Sequence, residues 1–342
     1  MKRYLLLFIT LLTAMTTMAQ ERKDTVIITL QNGLEVRYTS DLFDRVQIIY
    51  NLKYGVKVYL KDGKSKDYLA SKVVVAEYNG SGQDVTDNNR NRNLYRAKLL
   101  EYPHLAEDET MNQLIIKSTP DYGITFSLEW SYADIANRWT CYQMHAGNMA
   151  RNVTRTNSFK EDPEIPAQYR SKESDYSESG FTRGHLCPSA DRLCSREQNT
   201  QTFYLSNMQP QYDKHNNGLW NNLEQKIRPW AEKCDTLYVV KAATIRSDQV
   251  YSFKCNNRLP VPKYFYMALL AYNKSTDDYE AIGLWTEHNK NDYSKNYGDY
   301  AISIDELEER TGIDFFCNLP DDIEDKVEKN KNLKYWNLTT TK

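Results

Sequence analysis

The stretch from Ser179 to Glu224 constrains the fold more than any other part of the chain. It reads SGFTRGHLCPSADR and then, after a short gap, TFYLSNMQPQYDKHNNGLWNNLE. TFYLSNM predicts a strand, and the apolar residues from Leu219 to Ile227 recur at helical spacing, so a strand, a loop and a helix are expected in succession. On that helix Asn216 and Glu224 are eight residues apart, slightly over two turns, so both can face one side.

The same stretch contains the groups needed to cut a phosphodiester with one metal ion. His185 has a pKa that suits a base near neutral pH. Asn216 and Glu224 offer the hard oxygen ligands that Mg²⁺ prefers, and Asn217 is nearly as well aligned with Glu224 as Asn216 is. Arg183 offers a fixed positive charge for a phosphate. Each of these residues alone is more often structural than catalytic, and it is their joint spacing that favours chemistry.

These residues resemble the motifs of the DNA/RNA non-specific endonuclease family, the sugar-non-specific nucleases with a ββα-metal (His-Me finger) core. The family pattern is D-R-G-H, then S-N-x-x-P-Q, an Asn, and G-x-W-x-x-L-E. The matching segments in this chain are TRGH at 182–185, SNMQPQ at 206–211, Asn216, and GLWNNLE at 218–224. Since several motifs stand in register and the resemblance continues over residues 125 to 325, it is a specific one.

The resemblance implies an α+β fold, a ββα-metal nuclease domain with a central antiparallel sheet flanked by helices. It implies that His185 is the general base that activates water. Asn216 is then the direct protein ligand of a Mg²⁺ ion that keeps most of its waters, with Mn²⁺ as the alternative ion. Glu224 would orient those waters, and Asn207 would support the histidine and the metal site.

The resemblance leaves three questions open. Arg155 is the best match to the family's upstream arginine that contacts the phosphate, with Arg151 as the alternative. Arg183 is either a second phosphate contact or a buried structural arginine. Thr182 stands where the family has an aspartate, so either a hydroxyl replaces the acid in bonding the surrounding loops, or the electrostatics of the site change and activity falls.

The expected function is that of an exported, metal-dependent endonuclease that hydrolyses DNA and RNA with little sequence specificity, through contacts to the phosphate backbone. Without the two basic residues of the N-terminal segment, 42 basic residues stand against 46 acidic ones, so a local basic patch must hold the substrate. Two alternatives remain open. The chain could be a non-catalytic nucleic-acid-binding or surface-interaction protein with a degenerate site, or a phosphodiesterase acting on a small substrate.

The first nineteen residues, MKRYLLLFITLLTAMTTMA, have the layout of a secretory signal peptide with cleavage near Ala19. Their apolar run is too short to span a membrane. No cysteine lies near the cleavage site to carry a lipid. We therefore expect a soluble secreted or periplasmic protein without a membrane anchor.

Residues 20–80 predict a small β-rich repeat module. Its apolar runs TVIITL, EVRYT, VQIIYNL, GVKVYL and KVVVAEY predict strands, and Asn32-Gly33 and Asp62-Gly63 predict type I′ hairpin turns. The two hairpin units match at an offset of thirty residues, which aligns Tyr38 with Tyr68. Because the module has no histidine and no acidic cluster, we expect a structural or adhesive role with an unknown partner.

The rest of the chain separates into a linker at 81–112, rich in Gly, Asn and charge, and the endonuclease domain at 113–342. In the latter, TLYVVKAATI and YFYMALLAY predict central strands. ISIDELEERTGIDFF predicts a helix with Ser303 as its N-cap, Glu306 completing a capping box and Gly312 ending it.

The six cysteines suggest disulfides if the chain is exported, and six allow fifteen complete pairings. Cys187 and Cys194 are seven residues apart and could close a small loop. That the thiols are free and buried is an equally open reading. No Cys/His spacing typical of a zinc site occurs in the sequence.

Overall fold

The computed structural model describes residues 25–30, 35–39, 41–48, 56–68, 73–79, 91 and 97–338. The chain divides into two compact units between Thr86 and Asp87. The signal peptide predicted at 1–19 lies outside the described residues, and so do residues 81–90 and 92–96 of the predicted linker. The domain boundaries given above therefore stay predictions.

The described residues of the N-terminal unit form six strands: β1 (Thr25–Leu30), β2 (Glu35–Thr39), β3 (Phe43–Ile48), β4 (Val56–Leu60), β5 (Ser65–Tyr68) and β6 (Val73–Asn79). They form two three-stranded antiparallel sheets, in the orders β2-β1-β6 and β3-β4-β5. The third strand of each repeat therefore pairs with the first strand of the other repeat. Tyr38 and Tyr68, which occupy equivalent positions of the two repeats, join their hydroxyl groups at 2.5 Å.

The turn between β4 and β5 differs from the type I′ turn predicted at Asp62-Gly63. Gly63 has φ of +82°, whereas Asp62 is not among the residues with positive φ, and a type I′ turn needs both. Gly63 N donates to Leu60 O at 3.0 Å, and Leu60 N donates to Lys64 O at 2.8 Å. This is a three-residue loop with a glycine bulge. The Asn32-Gly33 turn lies outside the described residues.

The larger unit is built on the strands β7 (Asn112–Thr119), β8 (Gly123–Ser131), β9 (Ala136–Met144), β10 (Thr182–His185), β11 (Met208–Gln211), β12 (Thr236–Ala243), β13 (Val250–Cys255), β14 (Leu259–Pro262), β15 (Tyr264–Asn273), β16 (Asp278–Glu287) and β17 (Ala301–Ile302). Seven of them form one antiparallel sheet in the order β17-β16-β15-β12-β9-β8-β7, and β10-β11 and β13-β14 are separate pairs. The central antiparallel sheet expected from the sequence is confirmed.

Helices cover both faces of this sheet: α1 (Arg196–Gln201), α2 (Asn221–Ala231), α3 (Ile304–Thr311) and α4 (Asp321–Glu328). Successive strand residues face opposite sides. On β12, Val239 belongs to the same core cluster as Leu223 of α2, and Val240 belongs to the cluster that contains Leu307 of α3 and Val327 of α4. The sheet therefore separates α2 from α3 and α4. Among the described residues, no helix is long and apolar enough to cross a membrane.

Helix α3 begins and ends where its sequence predicts. The Ser303 hydroxyl accepts from Glu306 N at 3.1 Å, and Gly312 takes the left-handed conformation at φ +68°. The Glu306 carboxylate accepts from Arg310 one turn later at 2.5 Å. The Glu306 carboxylate therefore pairs with Arg310 and does not make the reciprocal bond of the predicted capping box.

One sequence-based expectation near the site is wrong, and the structure also bears on the cysteines, for which the sequence left two readings open. TFYLSNM is not a strand: it contains a 3₁₀ turn at Leu205–Asn207, and the strand β11 begins only at Met208. Phe203 and Leu205 are fully buried, and the segment is paired only through one parallel bridge between Tyr204 and Lys160. None of the six cysteines, all of which lie among the described residues, forms a disulfide. The Cys194 thiol donates to Gln198 at 3.1 Å and does not close a loop.

Candidate active site

The frame of the site is the strand pair β10-β11 followed by the helical segment that leads into α2, which together make a ββα arrangement. The strands pair antiparallel with Thr182 opposite Gln211 and His185 opposite Met208. Gly184 allows this close packing, because a Cβ atom there would lie 2.0 Å from Gln211 Oε1. The glycine between the arginine and the histidine of the motif is thus required by packing.

The segment before α2 is a π-helix, Lys214–Trp220, where the sequence predicts an α-helix. A π-turn takes in one more residue than an α-turn, and such turns are frequent at functional sites. The inference that Asn216 and Glu224 face one side assumed 3.6 residues per turn throughout, and the π-helix does not have that spacing. The Trp220 indole closes the segment against the strand pair, since its Nε1 donates to the His185 carbonyl oxygen at 3.3 Å.

His185 lies at the end of β10 with a half-buried side chain. Its ring meets Phe203 edge-on at a centroid distance of 5.1 Å and packs beside Phe159 at 5.8 Å. Its Nε2 atom is buried and has no hydrogen-bond partner within the protein. A buried ring nitrogen without a partner is costly unless something outside the chain bonds to it.

Burial is the main cause that lowers the pKa of His185 to about 3, and the positive charges of Arg155, Arg183 and Lys241 lower it further. The imidazole is therefore neutral at neutral pH and has a lone pair available. A bound phosphodiester would offset part of the positive charge around the ring and raise this pKa.

Asn216 and Asn217, which the sequence could not rank, occupy different environments. The Asn216 amide donates through Nδ2 to Thr182 Oγ1 at 2.9 Å, and the Thr182 hydroxyl donates onward to the Gln211 carbonyl at 2.9 Å. Asn217 is exposed and donates to Asp213 at 2.6 Å. The structure thus brings Asn216 to the strand pair and turns its carbonyl oxygen away from Thr182.

Asn207 is fully buried and fastens the loop that follows His185. Its Oδ1 accepts from Cys187 N at 2.9 Å, and its Nδ2 donates to the carbonyl oxygens of Cys187 at 2.8 Å and Thr202 at 2.9 Å. With three bonds to main-chain groups, the Asn207 side chain positions the backbone around His185.

Glu224 on α2 is 7% exposed and belongs to a buried ion network. Its Oε1 accepts from Lys241 Nζ at 3.1 Å, and Arg228 Nη2 lies 3.9 Å from Oε2. Arg228 also donates to Asp191 at 2.7 Å, and Asp191 accepts from Tyr142 at 2.9 Å. Burial raises the pKa of Glu224, while Lys241 and Arg228 oppose that rise.

Sequence reasoning missed this network, although one signal was present. Lys241 lies in the otherwise apolar strand segment TLYVVKAA and is fully buried. A lysine in a strand that is buried on both faces needs a partner carboxylate. Lys241 follows Val240 on β12 and therefore faces the opposite side of the sheet, toward α2 and Glu224.

The structure distinguishes the arginines that the sequence left open. Arg155 donates to Ser189 Oγ at 3.0 Å and to Asn157 at 2.6 Å, and its guanidinium lies over the Phe203 ring that also contacts His185. Arg151 is exposed. Arg183 is not buried: its side chain is 34% exposed, lies over the Phe159 ring at 3.8 Å and pairs with Glu173 at 3.4 Å.

The other histidines near the site have structural partners. His215 is fully buried, contacts Gln211 at 2.5 Å and Thr286 at 3.1 Å, and stacks on Trp220. His288 accepts from Tyr212 N at 2.7 Å and contacts the Pro262 carbonyl at 2.7 Å. Burial lowers the pKa of both, and that of His288 to about 4.

Comparison with known proteins matches this frame. A family model described as DNA/RNA non-specific endonuclease matches residues 113–322, which is more than half of the chain. The chain belongs to this family. The matched range includes the ββα frame, His185, Asn207, Asn216 and Glu224, so the resemblance read from the motifs is confirmed at the level of the family.

Individual relatives agree with that assignment. A protein named nuclease from a Nostoc species is 29% identical over 62% of this chain and 80% of its own length. The mitochondrial nuclease EXOG of Mus musculus is 28% identical over 74% of this chain and 72% of its own length. Nuclease C1 of Cunninghamella echinulata is 31% identical over 57% of this chain and 81% of its own.

A solved structure, the EndoG/EndoGI complex, contains a chain with a similar fold. The similarity has a TM-score of 0.52 at 22% identity and covers 61% of this chain and 88% of that one. At this identity the likeness supports the α+β fold with its seven-stranded antiparallel sheet.

Proposed function

We propose that the protein is a metal-dependent endonuclease that hydrolyses phosphodiester bonds of both DNA and RNA with little sequence specificity. The observation that carries the proposal is the His185 Nε2 atom, which is buried, neutral at pH 7 and without a protein partner, at the end of a ββα frame. A water molecule bound there would meet a general base. Export to the periplasm or medium is part of the proposal and rests on the N-terminal sequence.

In the proposed reaction, His185 Nε2 takes a proton from water while the oxygen attacks phosphorus in line. The new P–O bond forms as the bond to the 3′-oxygen breaks, and the leaving 3′-oxygen takes a proton from solvent water. Arg155 supplies positive charge to the phosphate oxygens. Since these contacts address the backbone and not base edges, sequence preference is expected to be low.

The residues present fit a hard cation. The Asn216 amide oxygen is turned away from Thr182, and Glu224 is a carboxylate close to Lys241 and Arg228. Oxygen ligands of this kind suit Mg²⁺ or Mn²⁺. When bound, the metal would supply Lewis-acid stabilisation of the charge that develops on the phosphate and the leaving oxygen. In this proposal Asn216 holds the ion and Glu224 orients its waters.

The proposal is tested by incubating plasmid DNA and RNA with the protein in Mg²⁺, in excess EDTA, and with the His185→Ala variant. We expect both polymers to be degraded only by the metal-replete wild type. His104→Ala is the matched control, because His104 lies on the loop before β7. It should retain activity.

Two results would support the alternatives. Binding of DNA without cleavage in Mg²⁺ and in Mn²⁺ would favour a non-catalytic binding protein in which Thr182 marks a degenerate site. Hydrolysis of a small diester such as bis(4-nitrophenyl) phosphate, with polymers left intact, would favour a phosphodiesterase of small substrates.

A further inference from the structure

The helices α3 and α4 bring three carboxylates together on the face of the sheet opposite to α2. Asp305 and Glu308 are one turn apart on α3, and Glu328 is the last residue of α4. One oxygen from each residue lies within 4.8 Å of the others. Residues three apart on a helix share a side, so α3 presents two acids to the end of α4.

Glu328 is the unusual member of this cluster. It is only 7% exposed, and its Oε1 atom is buried without a hydrogen-bond partner in the structure. A carboxylate oxygen in that position loses its hydration and gains nothing in return from the chain. Glu308, in contrast, accepts from Phe315 N at 2.8 Å through one oxygen.

The charges around the cluster are mutually repulsive. Burial first, and then the carboxylates Glu308, Glu324, Asp314 and Asp305, raise the pKa of Glu328 to about 10. Burial, Asp314 and Asp305 raise the pKa of Glu308 to about 8 against the opposing Phe315 bond. Either protons or a cation must offset this concentration of negative charge.

We propose that Asp305, Glu308 and Glu328 bind one Ca²⁺ ion that fastens α4 to α3. A set of carboxylate oxygens is the ligand type of hard cations, and Ca²⁺ takes its oxygens at about 2.3–2.6 Å, which a cluster of this width accommodates. The ion would give the buried Glu328 oxygen the partner that the chain lacks. The site is independent of the proposed nuclease centre, because the sheet lies between α3 and α2.

The test is calorimetric titration of Ca²⁺ into chelator-treated full-length protein carrying Asn216→Ala, which removes the candidate ligand at the nuclease centre. We expect one Ca²⁺ per chain and a Tm that rises with Ca²⁺. Glu328→Gln should weaken binding at least tenfold and abolish the rise in Tm. Glu309→Gln, an exposed neighbour on α3, is the matched control and should bind as the Asn216→Ala protein does.

Asp305→Asn serves as a second variant, since Asp305 is exposed and its replacement does not disturb the core. It should also weaken binding. The proposal is overturned if Ca²⁺ binds equally well to Glu328→Gln and Asp305→Asn, or if the chelated protein takes up no Ca²⁺. A Glu328→Gln protein that is more stable than its parent with and without Ca²⁺ would show that a proton holds the cluster, and would overturn it as well.

Discussion

Thr182 orients the proposed metal ligand, and this role can be tested by removing its hydroxyl group. The Thr182 hydroxyl donates its one proton to the Gln211 carbonyl oxygen. Toward Asn216 Nδ2 it can therefore act only as an acceptor. This chain of bonds fixes which end of the Asn216 amide faces Thr182. Valine at 182 keeps the shape of threonine but removes the acceptor, so the amide loses the bond that holds its oxygen toward the site.

One hydrogen bond of 2.9 Å contributes about 0.5–1.5 kcal/mol net. At about 1.4 kcal/mol per factor of ten, Thr182→Val should raise the Mg²⁺ concentration for half-maximal cleavage about 2- to 10-fold. Thr182→Ser keeps the hydroxyl and is the matched control. Thr182→Asp keeps an acceptor and adds a negative charge, so its half-saturation should lie below that of the wild type.

The assay is the initial rate of plasmid cleavage against free Mg²⁺ for the four proteins, with Asn216→Ala as the reference for loss of the ligand. If Thr182→Val and Thr182→Ser have the same half-saturation, the hydroxyl does not orient Asn216 and the reasoning is refuted. A change in maximal rate without a change in metal dependence would equally contradict it.

Four other predictions follow from the contacts around the site. Because burial and the nearby cations lower the pKa of His185 to about 3, the neutral base persists to low pH, so the acid limb of kcat/KM should lie below pH 5 and not near 6.5. Lys241→Met leaves a buried carboxylate without its cation and should cost about 3 kcal/mol of unfolding free energy in urea titrations, whereas the exposed Lys233→Met should cost little. Asn207→Ala removes three bonds to the main chain and should cost about 3 kcal/mol in the same titrations. The pKa of His288 is lowered to about 4, so the unfolded state gains this proton first as pH falls. His288 alone should contribute a loss of about 1.4 kcal/mol per pH unit from 6.5 to 4, and His288→Gln should remove that contribution from a total slope to which His185 and His215 also add.

The features that could be predicted from the sequence depend on local patterns. The apolar strands β12 and β15, the cap of α3 at Ser303 and its end at Gly312 all follow from spacing within a few residues. The ββα frame was implied by the resemblance of TRGH, SNMQPQ and GLWNNLE to the family motifs. The repeat at an offset of thirty was visible as well, but the exchange of third strands between repeats was not, because pairing partners are chosen by tertiary packing.

The features that could not be predicted depend on contacts between distant segments. Asn216, unlike Asn217, bonds to Thr182, which lies thirty-four residues earlier in the chain, and no local pattern predicts this contact. The π-helix replaces the predicted α-helix where Trp220 bonds to the backbone of His185. TFYLSNM has the composition of a strand, but it makes only a single bridge to Lys160, far away in sequence, before it turns at Leu205.

The ion network under α2 explains how a buried acid can serve the proposed site. Glu224 is buried, and burial alone would favour its protonated form, which accepts fewer hydrogen bonds from metal-bound water. Lys241 and Arg228 oppose that effect without cancelling it, and Arg228 is itself held by Asp191. The pKa of Glu224, the acid of the motif, therefore depends on Lys241 in the core strand β12. A chain that kept Glu224 but replaced Lys241 with an apolar residue would preserve the motif and remove the cation that opposes the rise in the pKa of Glu224.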